Sequence, residues 1–357
     1  VRHLNGPGPQ SPLPRRHLVG LDADVSVIGA GCWTIGGRAT NRGTPIGWDD
    51  VDPDAAFAGL VRALERGVTL YDTADVYGLG HSERLLGRLL RLAPRQDLTI
   101  SSKVGYFAGT ARHAYHPAQM RAQLDTTLDN LGTDHLDIYF LHSSDFGPDD
   151  RYLPDAVDLM HTWRGQGVIR AVGLRAPHRF AEEWAAADGP EATETRRWLN
   201  LFDQVRPDVL TARYNLLSRP YSDHETDVFR FARRNGVGVL IKQVLGKGLL
   251  LQTGSGPDQR QYSAADHRST DPAFTPDHRR HVHARLATLR DRYGDGTSAI
   301  VRLCVQYALH HAPDAAILAG FRNANQIDAI VTALDHPLQA DDITQIRAAL
   351  HDNPYTD

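Results

Sequence analysis

Cysteine is scarce in this 357-residue chain: Cys32 and Cys304 are the only two. Two cysteines cannot make a disulfide framework or a cysteine-rich zinc site. Both lie in apolar segments, where a small buried side chain is the ordinary use of cysteine. No apolar run approaches the ~20 residues of a membrane span, and the N-terminus has no continuous apolar signal core. The expectation is a reducing, cytoplasmic setting with no membrane partner. A basic excess is missing too: 39 Lys and Arg stand against 43 Asp and Glu, for a net charge of -4. That balance does not suggest nucleic acid as the main partner, and none is expected. The dinucleotide fingerprint starts at Gly29-Ala-Gly31 but fails at Thr34, where a third glycine or alanine is needed. No GxxxxGK[ST] phosphate loop occurs. Histidine is plentiful, at 18, yet His281/His283 and His310/His311 sit two or one apart on predicted helices, where they share no face. No metal site is expected.

What is present is ordinary soluble-protein material, 41% hydrophobic and 23% charged, enough for one large core. Residues 1–16, with four prolines and two glycines, are read as a flexible arm. Residues 17–357 are read as one domain. Eight short apolar runs follow: Val25–Gly29, Val68–Thr73, Leu98–Val104, Leu136–His142, Ile169–Leu174, Val209–Asn215, Val237–Ile241 and Ala315–Gly320. Each suits a strand buried on both faces. Helical patterns separate or follow them: Pro53–Arg66, Glu83–Leu92 with Ser82 as N-cap, Pro117–Leu131 ending at Gly132, Leu153–Gln166, Glu225–Arg234, Thr297–His310 and Asn325–Leu334. Strand then helix, eight times, predicts an α/β fold, a (β/α)8 TIM barrel. A doubly wound sheet is the rival, and the lack of any composition break favours the closed barrel. Two stretches exceed ordinary loops: 175–208, with an extra helix, and 246–280, rich in Gly, Asp, Ser and Pro. In a barrel both follow strands, the fifth and the seventh, and so cover the catalytic face.

Chemistry-bearing residues recur at successive strand ends. The second strand ends in Asp72, with Tyr77 in the following loop; the third carries Lys103; the fourth ends in His142. A lysine after an apolar run is costly to bury unless paired, and Asp72 is the obvious partner. The ammonium is expected to lower the pKa of Tyr77, giving a phenol that passes a proton to a carbonyl oxygen. His142 would hold the same oxygen. A structural ion pair, a core tyrosine and a capping histidine remain the plain alternative. Four such residues in this order on successive strands favour a site.

The segments Asp72-Thr-Ala-Asp-Val-Tyr77-Gly-Leu-Gly-His-Ser-Glu83, Ser-Ser-Lys103-Val-Gly and Leu-Gly132-Thr-Asp-His-Leu-Asp137-Ile-Tyr-Phe-Leu-His142 resemble the signatures of the aldo-keto reductases. Gly167-Val-Ile-Arg170-Ala-Val-Gly173, Tyr214-Asn-Leu-Leu-Ser-Arg219 and Gly320-Phe-Arg322-Asn323-Ala-Asn-Gln326 extend the resemblance over about residues 15–335. The resemblance implies a (β/α)8 barrel that binds NADP(H) without a Rossmann domain and reduces a small carbonyl substrate. It implies the tetrad Asp72, Tyr77, Lys103 and His142, with Tyr77 as general acid. It puts Arg322, Asn323 and Gln326 near the 2'-phosphate and Lys247 and Gly248 beside the pyrophosphate. Arg175, Thr211, Tyr214, Lys242, Leu245 and Gly320 join the cofactor set, and Cys32 and Trp33 line the substrate pocket.

The chain also departs from the family pattern. Gly173-Leu174-Arg175-Ala176 stands where the family shows Gly-Val-Ser-Asn. Thr211 replaces a glutamine, Lys242 an aromatic that stacks on the nicotinamide, and Ala329-Ile330 an acidic–amide pair. The catalytic end is kept and the cofactor-ring end is altered. The leading expectation is NADPH-dependent carbonyl reduction. A redox-neutral lyase, dehydratase or epimerase using Tyr77 and Lys103, and a non-catalytic nucleotide-binding protein, are the alternatives.

Overall fold

The computed structural model describes residues 12–252 and 260–351. Eight parallel strands close into a barrel: β1 (Ile28–Gly31), β2 (Leu70–Asp72), β3 (Thr99–Val104), β4 (Leu136–Leu141), β5 (Ile169–Arg175), β6 (Val209–Arg213), β7 (Gly238–Lys242) and β8 (Ala316–Gly320). Each pairs with its sequence neighbour, and Gly320 of β8 lies opposite Gly31 of β1 to complete the ring. Every residue of β3 and β4 is buried, as strands covered on both faces require. Leu70, Ile138, Phe140, Ala171, Val209, Leu240, Ala316 and Leu318 form an inner cluster. The larger apolar cluster takes in the helices around the strands.

The first predicted strand is divided. Ala23–Ser26 pairs antiparallel with Arg15–Leu18, and the barrel strand begins only at Ile28. Leu18, Leu21 and Val25 join the inner cluster, so this hairpin plugs one end of the barrel. An apolar run does not say which of two buried surfaces it serves, so periodicity alone merged the two strands. Arg15 and Arg16, assigned to the arm from sequence, belong to the hairpin; residues 1–11 lie outside the described residues.

Helix boundaries follow local chemistry. Asp52 caps Pro53–Glu65 by accepting from the Asp54 and Ala55 amides. Gly132, with a φ of 64°, ends Pro117–Leu131 in the left-handed conformation that glycine permits. Ser82 is not the expected N-cap: the helix spans His81–Leu90 after Gly80. Instead the Ser82 hydroxyl donates to the Cys32 carbonyl at 3.0 Å and lies 2.9 Å from the Thr73 hydroxyl. It ties this helix to the ends of β1 and β2. The extra helix expected in 175–208 is Pro190–Val205. The long stretch after β7 runs into the helix Pro276–Arg285, which carries His281 and His283; residues 253–259 of that stretch lie outside the described residues. Among the described residues no helix is long and apolar enough to cross a membrane.

Candidate active site

At the C-terminal ends of the strands opens a cavity of about 680 Å³. Its floor is built by register. Asp72 of β2 sits opposite Gly31 of β1 and Ser101 of β3, and Lys103 of β3 sits opposite Phe140 of β4. Ser102, pointing the other way, donates to the buried carboxylate of Glu83 at 2.8 Å. Thr127 and Asn130 complete that carboxylate's partners. This alternation fixes the face from which Lys103 enters the barrel.

The Lys103 ammonium donates to both Asp72 oxygens, at 2.8 and 2.7 Å, and to the Thr73 carbonyl at 2.6 Å. The Ser101 hydroxyl donates to Asp72 at 2.6 Å. Both ionic side chains are buried, so the pair holds its charge by mutual attraction rather than by water. The ammonium lies 4.8 Å from the centroid of the Tyr77 ring. The turn carrying Tyr77 is held against the first strand's loop: a Cβ at Gly78 would lie 1.7 Å from the Gly36 carbonyl oxygen. Only glycine allows that approach. The Tyr77 ring meets His142 edge-on at 6.1 Å and Trp33 at 6.3 Å.

Electrostatics here correct one expectation. Lys103 does pull the Tyr77 phenol toward its anion, but burial outweighs it and pushes the pKa up to about 12. Tyr77 therefore stays protonated at neutral pH. His142 is driven well below the usual histidine range, first by burial and then by Lys103, Arg175 and Lys242. It is a neutral imidazole, and its Nδ1 is buried with no hydrogen-bond partner among the described residues.

The opposite end of the cavity is roofed by the loops after β1 and β7. The Asp49 amide donates to Asp266 at 3.1 Å, and the His267 amide to the Gly47 carbonyl at 2.9 Å. Trp48 lies between the guanidiniums of Arg268 and Arg322, 4.5 and 5.3 Å from its ring centroid. Arg322 also donates to the Asp49 carbonyl at 3.0 Å. Lys247 pairs with Asp271 at 2.6 Å.

A family model, "Aldo/keto reductase family", matches residues 27–351. The chain belongs to the aldo/keto reductase family. It is 25% identical to the NADH-specific methylglyoxal reductase of Escherichia coli (strain K12), over 91% of this chain and 95% of that protein. It is 26% identical to an aldo-keto reductase of Bacillus subtilis (strain 168), over 92% of this chain and 90% of that protein. Among solved structures, the glycerol dehydrogenase of Gluconobacter oxydans superposes with a TM-score of 0.70 at 23% identity, covering 95% of this chain and 97% of that one. That likeness supports the (β/α)8 fold.

In this aldo/keto reductase most residues singled out from sequence meet in one cavity. Asp72, Tyr77, Lys103, His142 and Trp33 line it, as do Arg175, Thr211, Lys242, Leu245, Lys247, Gly248, Gly320, Arg322 and Gln326. Three do not. Cys32 is fully buried, with its thiol on the Ala30 carbonyl, and takes no part in the pocket wall. Tyr214 is turned away and stacks on His311 at 4.1 Å. Asn323 caps the helix Ala324–Thr332 by accepting from the Gln326 amide at 3.0 Å. Gln326 lines the cavity, but its side-chain oxygen accepts from the Arg322 amide at 2.7 Å. Sequence reading missed Trp48, His178, His267 and Arg268, all on the wall. They come from irregular loops with no periodicity to mark them. The aromatic and basic residues near 48 and 267 were the available signal.

Proposed function

We propose that this protein reduces a small carbonyl compound to an alcohol with NADPH, and that Tyr77 is the proton donor. The buried Asp72–Lys103 pair beneath a protonated Tyr77 carries the reading, because it supplies a proton and stabilises the phenolate left behind. The cavity suits a dinucleotide: it is large enough, and Lys247, Arg260, Arg268 and Arg322 on its wall suit phosphates. Bound there, the cofactor supplies hydride. Arg322, backed by Arg268, supports a preference for the 2'-phosphate form; the E. coli relative is named as NADH-specific, which makes cofactor choice a property of each chain.

The chain's own residues divide the remaining work. Lys103 orders the phenol and favours its anion as the proton leaves. Asp72 keeps the ammonium in place. His142, neutral and adjacent, has a ring nitrogen to orient the carbonyl oxygen. Trp33, Tyr106 and Phe140 give the wall its apolar surface. The test is Tyr77→Phe, which keeps the ring and removes only the hydroxyl. Turnover of a carbonyl substrate should fall by about 10²–10⁴-fold while NADPH affinity is retained. Near-normal turnover would sink the assignment. Product formed without net cofactor oxidation would point to the redox-neutral alternative.

A further inference from the structure

Among the described residues the cavity wall carries seven lysines and arginines and two acids, Asp72 and Asp271. Most of the cations have a use. Lys103 is held by Asp72, Lys247 by Asp271, and Arg268 by Asp266. Arg260 donates to the Gly248 carbonyl, and Arg322 to those of Asp49 and Asp50. Arg175 and Lys242 are left over. Among the described residues neither has a carboxylate within 4.0 Å. Arg175 meets only another nitrogen, that of His178, at 2.9 Å.

These two cations close on one place. Arg175 ends β5 and Lys242 ends β7, on either side of β6, where Thr211 pairs with Arg175 and Arg213 with Lys242. Both line the cavity with His142 and His178 and act on both imidazoles, so they face the space beside Tyr77 and His142; Lys247, which acts on His178 as well, is held by Asp271. A guanidinium and an ammonium brought together in a cavity that half-buries them repel each other and lose part of their hydration. Neutral side chains would avoid that cost. An anion placed between them removes it, and a carboxylate matches the planar fork of the guanidinium.

We propose that Arg175 and Lys242 form an anion-binding pair, so that the carbonyl substrate carries a carboxylate. The substrate half of this statement rests on the carbonyl-reductase reading; the anion-binding half is testable without turnover. Burial, Arg175, Lys103 and Arg213 press Lys242 toward its neutral form, with Asp72 opposing them. His142 and His178, the other titratable groups there, are neutral. A carboxylate beside Lys242 reverses the balance, so its binding takes up a proton.

The probes are 4-methylbenzoate and the neutral 4-methylbenzamide, titrated calorimetrically in saturating NADPH and in two buffers of different ionisation enthalpy. In parallel, kcat/KM is compared for 4-carboxybenzaldehyde and its methyl ester. The acid of each pair should be favoured by about tenfold or more, the worth of a charge-assisted hydrogen bond. Lys242→Met should erase both the preference and the proton uptake. Equal binding of benzoate and benzamide refutes the pair. So does a Lys242→Met variant that weakens NADPH as much as benzoate, since the cations then serve the cofactor. Benzoate preference lost in Lys242→Met, with no aldehyde reduced by the wild type, supports the pair and refutes the reductase reading. An ester reduced as fast as the acid, with turnover lost in Tyr77→Phe, does the reverse.

Discussion

Replacing Lys103 by methionine removes the charge that makes Asp72 tolerable in the interior. The carboxylate is about 5% exposed, and the ammonium supplies contacts at 2.8 and 2.7 Å, leaving the Ser101 hydroxyl as its remaining donor. The Thr73 carbonyl loses its bond as well. Breaking a buried pair from one side costs about 3–5 kcal/mol, a large share of the roughly 5–15 kcal/mol that holds a folded domain. Asp72→Asn strands the ammonium and should cost a similar amount. The double variant Asp72→Asn/Lys103→Met leaves no charge behind. Its cost should drop to the loss of two or three hydrogen bonds, about 1 kcal/mol each. The two substitutions should therefore couple by at least about 3 kcal/mol, at or above the upper end for contacting residues. Urea unfolding followed by circular dichroism measures all four corners of this cycle. Additivity within about 0.5 kcal/mol would mean that the pair is not a unit. The double variant should also be inactive while folded, which separates the stability role of the pair from its role toward Tyr77.

With the Tyr77 pKa pushed up to about 12, the protonated donor persists as pH rises. Carbonyl reduction should then stay level from about pH 6 to 10, while alcohol oxidation, which needs the tyrosinate, gains about tenfold per pH unit; a reductive limb falling near pH 8.5 would contradict the burial argument. Arg322→Ala should weaken NADPH by about 1.5–3 kcal/mol, the range for a charged hydrogen bond, and NADH much less. Equal losses in equilibrium titrations would move Arg322 away from the 2'-phosphate. His267 is held down to about 4 by burial and Lys247, below its unfolded value, so its stabilising contribution is complete above about pH 6.5 and is lost as the pH falls toward 4. At pH 5 that loss is about 2 kcal/mol, and His267→Gln should remove it from the difference in unfolding free energy between pH 7.5 and 5.

The barrel was legible because each strand is covered on both faces and so spells a continuous apolar run. The plug at its end was not, since Val25 and Ile28 are equally apolar and serve different surfaces. The Asp72–Lys103 ion pair was legible for a related reason. A strand buried throughout tolerates no stray charge, so Lys103 and Asp72 stood out against their neighbours. The residues misread share another feature. Cys32 and Tyr214 follow strands closely, and a one-residue change of direction turns a wall residue into a core residue. Tyr214 stacks on Tyr307 and His311, groups that belong to the outer layer. Asn323 satisfies helix amides, the use to which its short amide side chain is best suited.

The roof over the cavity depends on contacts that sequence proximity cannot reveal. Trp48 and Arg268 are 220 positions apart, and the pairings that set them span as far: Gly47 accepts from His267 across 220 positions, and Asp49 from Ser263 across 214. Loops of this kind are read only once the barrel has placed the ends of β1 and β7 on the same rim. The same reasoning explains why the altered wall residues carry information. Arg175 and Lys242 end β5 and β7, and Thr211 lies two residues short of the end of β6 between them, so their side chains share one patch whatever the loops do. Two cations in that patch without an acid are costly by themselves. A chain that keeps the Asp72–Lys103–Tyr77 unit and still bears this cost has a cavity whose field is set by charge near the reacting end, and the charge it lacks there is negative.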